Sequence, residues 1–434
     1  MAPVPVPHPR RDGYGAGTEI RPPPERGGRR GDGEAGARPL AALRPADRPA
    51  LRGDTGGQLG PAERRDGARN GPPPSRPDRG RGSGPRPHPV SRRARGRRRP
   101  DPLAGGTALN IDMIRDAARR AAGHIRRTPL LTSPFLDEIA GRRVYVKPEC
   151  LQHTGSFKAR GAWSALSAMD PDLRSAGVMA YSSGNHAQGV AWAAACHGAP
   201  AVILMPSDAP ALKRANTAAL GAEVVLYDRA TESREEIGER IATERGLTLV
   251  RPYDEPQVIA GQGTVGLEIA AQAAEAGIDA AEVLVCCGGG GLTSGIALAC
   301  EAEAPGLRVR PVEPEGFDDV RRSLLAGGIE RNDSLSGSIC DAIVTPQPGD
   351  LTFPIIRRLC GPGLAVSDDE ALHGMAQAFL RLKVVAEPGG AVALAAALLR
   401  PTEITGDAVV VVISGGNVDP EVHSGALARH GRTS

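Results

Sequence analysis

From residue 111 onward, short apolar runs alternate with longer segments in which apolar residues recur every three or four positions. The short runs are typical of buried β-strands, and the longer segments have the period of amphipathic helices. We predict strands at 143–147, 177–183, 200–206, 222–227, 282–287, 307–314 and 408–413. We predict helices at 111–125, 161–169, 186–198, 212–220, 233–246 and 295–306. This alternation indicates an α/β protein with a mainly parallel sheet.

Loops rich in glycine, serine and asparagine follow three of the predicted strands. They read SSGN at 182–185, GGGG at 288–291 and SGGN at 414–417. In open parallel sheets, ligands bind beyond the carboxyl ends of the strands. We therefore expect the three loops to face one cleft.

Composition divides the chain near residue 107. Residues 1–100 hold 23 Arg, no Lys and 10 acidic residues (+13), whereas the rest holds 30 basic and 40 acidic residues (−10). The first part is dense in Pro, Gly and Arg and lacks apolar periodicity, so we predict that residues 1–107 are disordered. Three interpretations stay open: a segment that is not naturally translated, a solvated tail, or an arm that binds nucleic acid through phosphate contacts.

Several classes of protein do not fit the sequence. No run approaches the ~20 apolar residues that span a membrane, and the first 20 residues lack the apolar core of a secretory signal. Seven cysteines are present without a metal-binding CxxC spacing. They fit reduced thiols in a cytoplasmic protein.

The four glycines at 288–291 precede a predicted helix. Their backbone N–H groups can converge on an anion, and the helix N-terminus adds partial positive charge. The stretch lacks the spacing of dinucleotide and nucleotide loops, so it fits a small phosphate group. A flexible turn without a ligand is the alternative.

Lys158 is one of only four lysines in a chain with 49 arginines, and it stands between a glycine turn and a predicted helix. A helix N-terminus favours the uncharged amine, which can attack an aldehyde to form a Schiff base. Taken alone, the lysine could be a solvated surface cation. Together with a phosphate loop it indicates pyridoxal phosphate.

The segment 182–189 adds polar groups near the predicted cleft. Asn185 can both donate to and accept from a ring substituent. His186 could act in catalysis or pack beside the loop, and Ser183 could cap the helix or contact a substrate.

Six motifs together resemble the serine/threonine dehydratases, which are tryptophan-synthase-β-like pyridoxal-phosphate enzymes with serine racemase as a close relative. The motifs are SFKARG, SSGNHAQGVA, VIAGQGTVGLEI, CGGGGLTSG, VEPEGFDD and ISGGN, in order between about residues 110 and 420. The resemblance implies two open, twisted α/β lobes with the cofactor in the cleft between them. It further implies a catalytic domain at 108–425, a short tail at 426–434 without a regulatory domain, and a cytoplasmic homodimer.

The resemblance also implies roles for single residues. Lys158 would hold the cofactor as an internal aldimine and act as the general base. Phe157 would pack against the ring, Asn185 would bond the phenolic oxygen, and Ser414 would meet the pyridine nitrogen. The phosphate would lie against Gly288, Gly289, Gly290 and Gly291.

Two further sites follow from the same resemblance. The substrate carboxylate would be held by Ser182, Ser183, Gly184 and His186. A divalent cation, Mg²⁺ or Ca²⁺, would be bound by the carboxylates of Glu313 and Asp319 and the carbonyl of Phe317. A solvated acidic loop is the alternative to this metal site.

We therefore predict an L-threonine/L-serine ammonia-lyase that acts on a small β-hydroxy amino acid, without a membrane partner. Ser183 lies where the racemase has a second acid/base serine, which keeps racemisation or threo-3-hydroxyaspartate elimination open. Tyr253 favours a dehydratase, because dehydratases carry an aromatic residue there. Nucleic-acid binding through the arginine-rich tail is the alternative from another class of protein, and we do not expect it.

Overall fold

The computed structural model describes residues 109–182, 184–209, 211–228 and 230–431. The predictions for residues 1–107 and for Ser183 lie outside these ranges. The described helices are α1 (Ile111–Ala121), α2 (Pro134–Ala140), α3 (Lys158–Ala168), α4 (Pro171–Ala176), α5 (Asn185–His197), α6 (Ala211–Ala219), α7 (Arg234–Arg245), α8 (Pro256–Glu275), α9 (Gly291–Glu303), α10 (Asp319–Ala326), α11 (Thr352–Leu359), α12 (Asp368–Gln377), α13 (Pro388–Leu399) and α14 (Pro420–His430).

The described strands are β1 (Leu131–Thr132), β2 (Arg143–Pro148), β3 (Val178–Tyr181), β4 (Ala201–Pro206), β5 (Glu223–Tyr227), β6 (Thr248–Leu249), β7 (Ala281–Cys286), β8 (Leu307–Pro314), β9 (Leu364–Val366) and β10 (Ala408–Ile413). Short 3₁₀ turns lie at Glu149–Leu151, His153–Gly155 and Pro401–Glu403, and a π-helical turn lies at Ala378–Leu382.

The strands form two sheets. Six strands are ordered β1-β2-β10-β7-β8-β9, and four are ordered β5-β4-β3-β6. Every pairing between these strands is parallel except β1 with β2. The α/β class with parallel sheets is thus confirmed. The apolar pattern alone indicates a mainly parallel sheet, whereas the structure divides its strands between two.

Helices cover both faces of the six-stranded sheet, which explains its nearly continuous apolar strands. In β10, Val409 and Val411 pack with α2, α12, α13 and α14, while Val410 and Val412 pack with α8 and α9. The four-stranded sheet packs on one face against α3 and α5. No helix in the described ranges combines the length and apolar character needed to cross a membrane.

Two local differences from the predicted pattern have clear causes. Helix α1 ends at Ala121 rather than at residue 125, and the chain turns at Gly123 with a φ of +77°. Helix α8, 20 residues long, was not predicted because its glycines disfavour an isolated helix. All seven cysteines are free thiols, as predicted, although Cys196 is exposed.

Candidate active site

Lys158 is the first residue of α3, and its side chain is half-buried. Its Nζ donates to the Pro252 carbonyl at 2.8 Å and lies 5.1 Å from the ring centre of Phe157. The Phe157 N–H donates to the Ser414 carbonyl at 3.1 Å, so the start of α3 is fastened to the loop after β10. Burial lowers the pKa of Lys158 to about 8, against an opposing effect of the Glu387 charge. A neutral, nucleophilic amine is therefore available near physiological pH.

The glycine loop at 288–291 connects β7 to α9. Gly290 has a φ of +90°, and no side chain caps the helix, so the N–H groups of its first turn are available to an anion. A β-carbon on Gly289 would lie 2.3 Å from the Tyr253 ring, and one on Gly288 would lie 2.9 Å from the Ile343 carbonyl. Larger residues do not fit here, and the backbone itself forms the surface of the loop.

The Asn185 side chain, at the start of α5, lies between two polar groups. Its Nδ2 donates to Glu387 Oε1 at 2.6 Å, and its Oδ1 accepts from Asn417 Nδ2 at 2.7 Å. Glu387 immediately precedes α13 and is 4% exposed. Burial raises its pKa to about 7, although the hydrogen bond from Asn185 opposes this shift.

Ser414 completes the group at the carboxyl end of β10. It is buried, and its N–H donates to the Gly390 carbonyl at 3.3 Å. Gly415 lies against both Glu387 and Asn185, since its β-carbon would be 2.1 Å from Glu387 Oε1 and 3.1 Å from Asn185 Nδ2. An amine, a glycine loop, an amide and a hydroxyl thus meet at one cleft formed by both sheets.

A family model described as "Pyridoxal-phosphate dependent enzyme" matches residues 121–415, which span all of these groups. The chain belongs to this family of pyridoxal-phosphate dependent enzymes. It is 46% identical to L-threo-3-hydroxyaspartate ammonia-lyase from Pseudomonas sp over 316 residues, which cover 73% of this chain and 97% of the relative. It is 44% identical to L-threo-3-hydroxyaspartate ammonia-lyase from Saccharomyces cerevisiae over 306 residues, 70% of this chain and 92% of the relative.

Solved structures agree with this assignment. The crystal structure of a threonine deaminase from T.th. superimposes with a TM-score of 0.68 at 44% sequence identity. The alignment covers 71% of this chain and 99% of the threonine deaminase. The tryptophan-synthase-β-like fold expected from the motifs is thus confirmed, and so is the cofactor, pyridoxal phosphate.

The cleft fits pyridoxal phosphate on structural grounds. The cofactor needs an anion site, an amine for its aldehyde and polar partners for its ring, and the cleft offers the glycine loop, Lys158, Asn185 and Ser414 in turn. Lys158 and the glycine loop are linked through neighbouring residues, because Lys158 bonds the Pro252 carbonyl and Tyr253 packs on Gly289. The individual roles of these residues remain predictions from the resemblance.

The loop expected to hold the substrate carboxylate is only partly described, because Ser183 is outside the described ranges. Ser182 Oγ accepts from the Gly184 N–H at 3.2 Å. The His186 ring is buried with Nε2 2.9 Å from the Val250 carbonyl, and burial together with the Lys158 charge lowers its pKa to about 3. His186 is therefore neutral, and the backbone N–H groups at the start of α5 remain the better partners for a carboxylate.

The predicted metal ligands lie close together where β8 leads into α10. Both Glu313 oxygens accept from backbone N–H groups, of Val320 at 2.9 Å and Arg321 at 2.7 Å. Asp319 accepts from Asn332 Nδ2 at 2.7 Å, and its Oδ2 is buried without a partner. Within the described ranges, no three His, Cys, Asp or Glu side chains form a metal-binding group. Phe317 would have to contribute its carbonyl, and the metal site stays a prediction.

Sequence reasoning missed three groups at this site: the Pro252 carbonyl, Glu387 and Asn417. A backbone carbonyl leaves no signal in a sequence. Glu387 stands in the apolar segment VVAEPGGAVA, where an isolated carboxylate among residues predicted to be buried could have indicated a specific partner.

Proposed function

We propose that the protein is an ammonia-lyase that converts a 3-hydroxy amino acid into a 2-oxo acid and ammonia, with the water eliminated first and taken up again when the enamine hydrolyses. Bound pyridoxal phosphate would supply the electron sink for the pair released at the substrate Cα. The observation that carries the proposal is the half-buried Lys158 amine, whose pKa is lowered to about 8, in a cleft with a glycine loop at the uncapped start of α9.

Different residues of the chain would transfer the proton and hold the substrate. The neutral Nζ of Lys158 would accept the Cα proton, and the Pro252 carbonyl, 2.8 Å away, orients that nitrogen. The loop at 182–185 and the N-terminus of α5 would hold the substrate carboxylate. After the β-hydroxyl leaves as water, the enamine product hydrolyses to the 2-oxo acid and ammonia.

The preferred substrate in this proposal is 3-hydroxyaspartate. Two relatives at 46% and 44% identity are L-threo-3-hydroxyaspartate ammonia-lyases. This substrate carries a second carboxylate, which a positively charged side chain would bind. The guanidinium of Arg234, at the start of α7, stacks 5.4 Å from the ring centre of Tyr181, next to Ser182. Arg234 also pairs with Glu235 at 2.8 Å, so the substrate would share or replace that partner.

Dehydration of L-threonine or L-serine is the second candidate, and Tyr253 favours it. Its ring packs on Gly289 and its Cα and Cβ lie against Gly291, beside the Pro252 carbonyl that bonds Lys158. Burial and the Asp254 charge raise the pKa of Tyr253 to about 12, so its hydroxyl stays protonated. An aromatic wall at this place would suit a small apolar substituent such as the methyl group of threonine.

A substrate panel tests the function. The holoenzyme is incubated with L-threo-3-hydroxyaspartate, L-threonine, L-serine and D-serine, and 2-oxo acid release is followed. We expect the highest kcat/KM for 3-hydroxyaspartate and none with Lys158→Ala. Formation of D-serine from L-serine faster than pyruvate would instead make the protein a racemase.

The role of Arg234 has a matched control on the same helix. Arg234→Gln should lower kcat/KM for 3-hydroxyaspartate at least about tenfold while changing that for L-serine less, because only the former has a second carboxylate. Arg240→Gln removes an exposed guanidinium from α7 and should change neither value. Equal losses for both substrates with Arg234→Gln would refute selectivity through this side chain.

A divalent cation at Glu313, Phe317 and Asp319 is a further part of the proposal. The buried, unpartnered Asp319 Oδ2 supports it.

The homodimer, the cytoplasmic location and the domain limits at 108–425 and 426–434 stay predictions of the resemblance. Helix α14, at Pro420–His430, crosses the predicted boundary between residues 425 and 426.

A further inference from the structure

We infer that Glu387 and Asn417 are positioning residues that fix the Asn185 side-chain amide in one orientation, with one N–H left to face the cofactor. The inference concerns cofactor binding and rests on the family assignment. It does not depend on which amino acid the enzyme converts. It follows from a chain of hydrogen bonds that crosses the cleft.

One end of this series of hydrogen bonds is the Thr154 carbonyl. A carbonyl only accepts, so the 2.8 Å contact requires that Asn417 present its Nδ2 to Thr154. The second N–H of the same nitrogen then points to Asn185 Oδ1, at 2.7 Å. The orientation of the Asn417 amide is thereby determined by the backbone.

The other end is the carboxyl group of Glu387. Its Oε1 lies 2.6 Å from Asn185 Nδ2 and accepts an N–H from it, because Asn185 Oδ1 is already the acceptor for Asn417. Asn185 thus meets a donor at its oxygen and an acceptor at its nitrogen. Flipping the amide would place oxygen against oxygen and nitrogen against nitrogen, so a single orientation satisfies both ends.

One N–H of Asn185 remains after these contacts. An amide nitrogen has two N–H groups, and only one is used by Glu387. In the described part of the chain, no other acceptor is within hydrogen-bond distance of this nitrogen. The remaining N–H is therefore available to an oxygen substituent of the bound ring.

Packing holds both supporting residues in place. The Glu387 N–H donates to the Gly415 carbonyl at 3.0 Å, and a β-carbon on Gly415 would lie 2.1 Å from Glu387 Oε1. A β-carbon on Gly155 would lie 2.6 Å from Asn417 Oδ1. Glu387 and Asn417 therefore occupy space that only a glycine at positions 415 and 155 leaves open.

The test measures binding of pyridoxal phosphate to the apoenzyme, together with the visible absorbance of the bound cofactor, in the absence of substrate. Glu387→Leu should weaken binding about tenfold, the equivalent of about 1.4 kcal/mol, and should change the visible spectrum. Glu387→Gln keeps an acceptor oxygen and should restore both. Asn417→Ala should weaken binding in the same direction.

A double-mutant cycle separates positioning from a general structural role. If Glu387 acts through Asn185, then Glu387→Leu should cost little further affinity in an Asn185→Ala background. Fully additive losses, or wild-type binding by Glu387→Leu, would overturn the inference. Should Glu387→Leu fail to fold, the cycle of Asn417→Ala with Asn185→Ala decides in the same way.

A substitution at another buried carboxylate is the control for a general loss of stability. Glu282 is also a buried carboxylate, paired with Arg310 at 2.7 Å, and it lies in β7 away from the glycine loop. Glu282→Gln should lower the melting temperature of the apoenzyme and leave cofactor affinity and spectrum unchanged. Because substrate is absent, failure of the proposed lyase activity would leave this result unaffected, whereas no cofactor binding by wild type would refute the cofactor site itself.

Discussion

Buried Lys147 and half-buried Lys158 differ in what surrounds the amine. Lys147 Nζ is bonded to Glu268 at 2.6 Å, the Thr128 carbonyl at 2.8 Å and Gln272 at 2.9 Å, so its three donors are used. Lys158 has one carbonyl acceptor and no paired carboxylate in contact. Three partners fit Lys147 to a structural role, whereas Lys158 has fewer partners to hold its amine in the charged form.

The pKa of Lys158 predicts how fast the apoenzyme takes up its cofactor. Only the neutral amine attacks an aldehyde, so the rate should rise with pH and level off above about 8, where the folded-state pKa lies. Stopped-flow absorbance would measure it, and borohydride reduction with peptide mapping should place the label on Lys158. A midpoint near the ordinary lysine value of 10.5, or a label on Lys213, would contradict the assignment.

Asp319 and Glu313 predict an effect of divalent cations on stability. Burial raises the pKa of Asp319 to about 7 and that of Glu313 well above its usual range, and the Asp319 charge adds to the shift of Glu313. A bound cation would stabilise the two ionised carboxylates in the folded protein. Mg²⁺ or Ca²⁺ should therefore raise the melting temperature by about 3–5 °C.

Asp319→Asn should abolish that response to the cation, whereas Asp350→Asn, an exposed control, should retain it. Calorimetric scans with EDTA and with added metal would measure both. An unchanged wild-type melting temperature across these conditions would mean that the two carboxylates are held by the protein alone.

The residues that suggest the cofactor could be predicted from the sequence, whereas the residues that position them could not. Lys158, Asn185, Ser414 and the glycine loop stand in short motifs whose local chemistry suggests a ligand. Glu387 has no such motif, because its role arises from a contact with Asn185, 202 positions away. A sequence shows which groups can bond, and the tertiary structure determines which ones meet.

Helices α8 and α9 pack closely because both carry glycines at their contact. A β-carbon on Gly263 would lie 3.0 Å from the Gly295 carbonyl, and one on Gly295 would lie 2.6 Å from the Ile259 carbonyl. Helix α9 begins at the glycine loop, so this contact helps to position the loop. Intrinsic propensity disfavours glycine in helices, and tertiary packing overrides that preference here.

Gly266→Ala in α8 is expected to destabilise the protein by about 1–2 kcal/mol. Its β-carbon would lie 2.7 Å from Ala299 Cβ and 2.9 Å from Ile296 Cα, and this overpacking exceeds the ~1 kcal/mol that alanine gains in a helix. Gly425→Ala in α14 is the control, because no atom lies within 4 Å of the added carbon, and it should stabilise. Urea unfolding of both variants checks this, and equal stabilisation would contradict the close packing.

Across the whole molecule, the polar groups of the candidate site follow strands of two sheets. Ser182 and Asn185 follow β3 of the four-stranded sheet, while the glycine loop and Ser414 follow β7 and β10 of the six-stranded sheet. The pattern of apolar runs predicted that the loops after these strands would meet. It could not assign strands to sheets, because each parallel strand has the same buried, apolar character in either one.

Residues 1–107 are predicted to be dispensable for stability. A chain that begins at Thr107 retains the Asn110 cap of α1, whose Oδ1 accepts from Asp112 and Met113 N–H groups at 3.0 and 3.2 Å. It should therefore match the full chain in melting temperature and activity. A chain that begins at Met113 loses the cap and should be about 1 kcal/mol less stable. A lower melting temperature for the Thr107 start would show that the preceding segment packs on the catalytic domain.

The strand order has a consequence for how the enzyme is made. Strand β2 pairs along its whole length with β10, with Val146 opposite Val411, and Asn417 just beyond β10 bonds back to Thr154. Contacts this distant in sequence slow folding, and during synthesis β2 has no β10 to pair with until most of the chain has left the ribosome. The four-stranded sheet, built from residues 178–249, can form earlier. The cofactor can therefore be captured only after translation is nearly complete, and the half-made chain exposes the edge of β2 in the meantime.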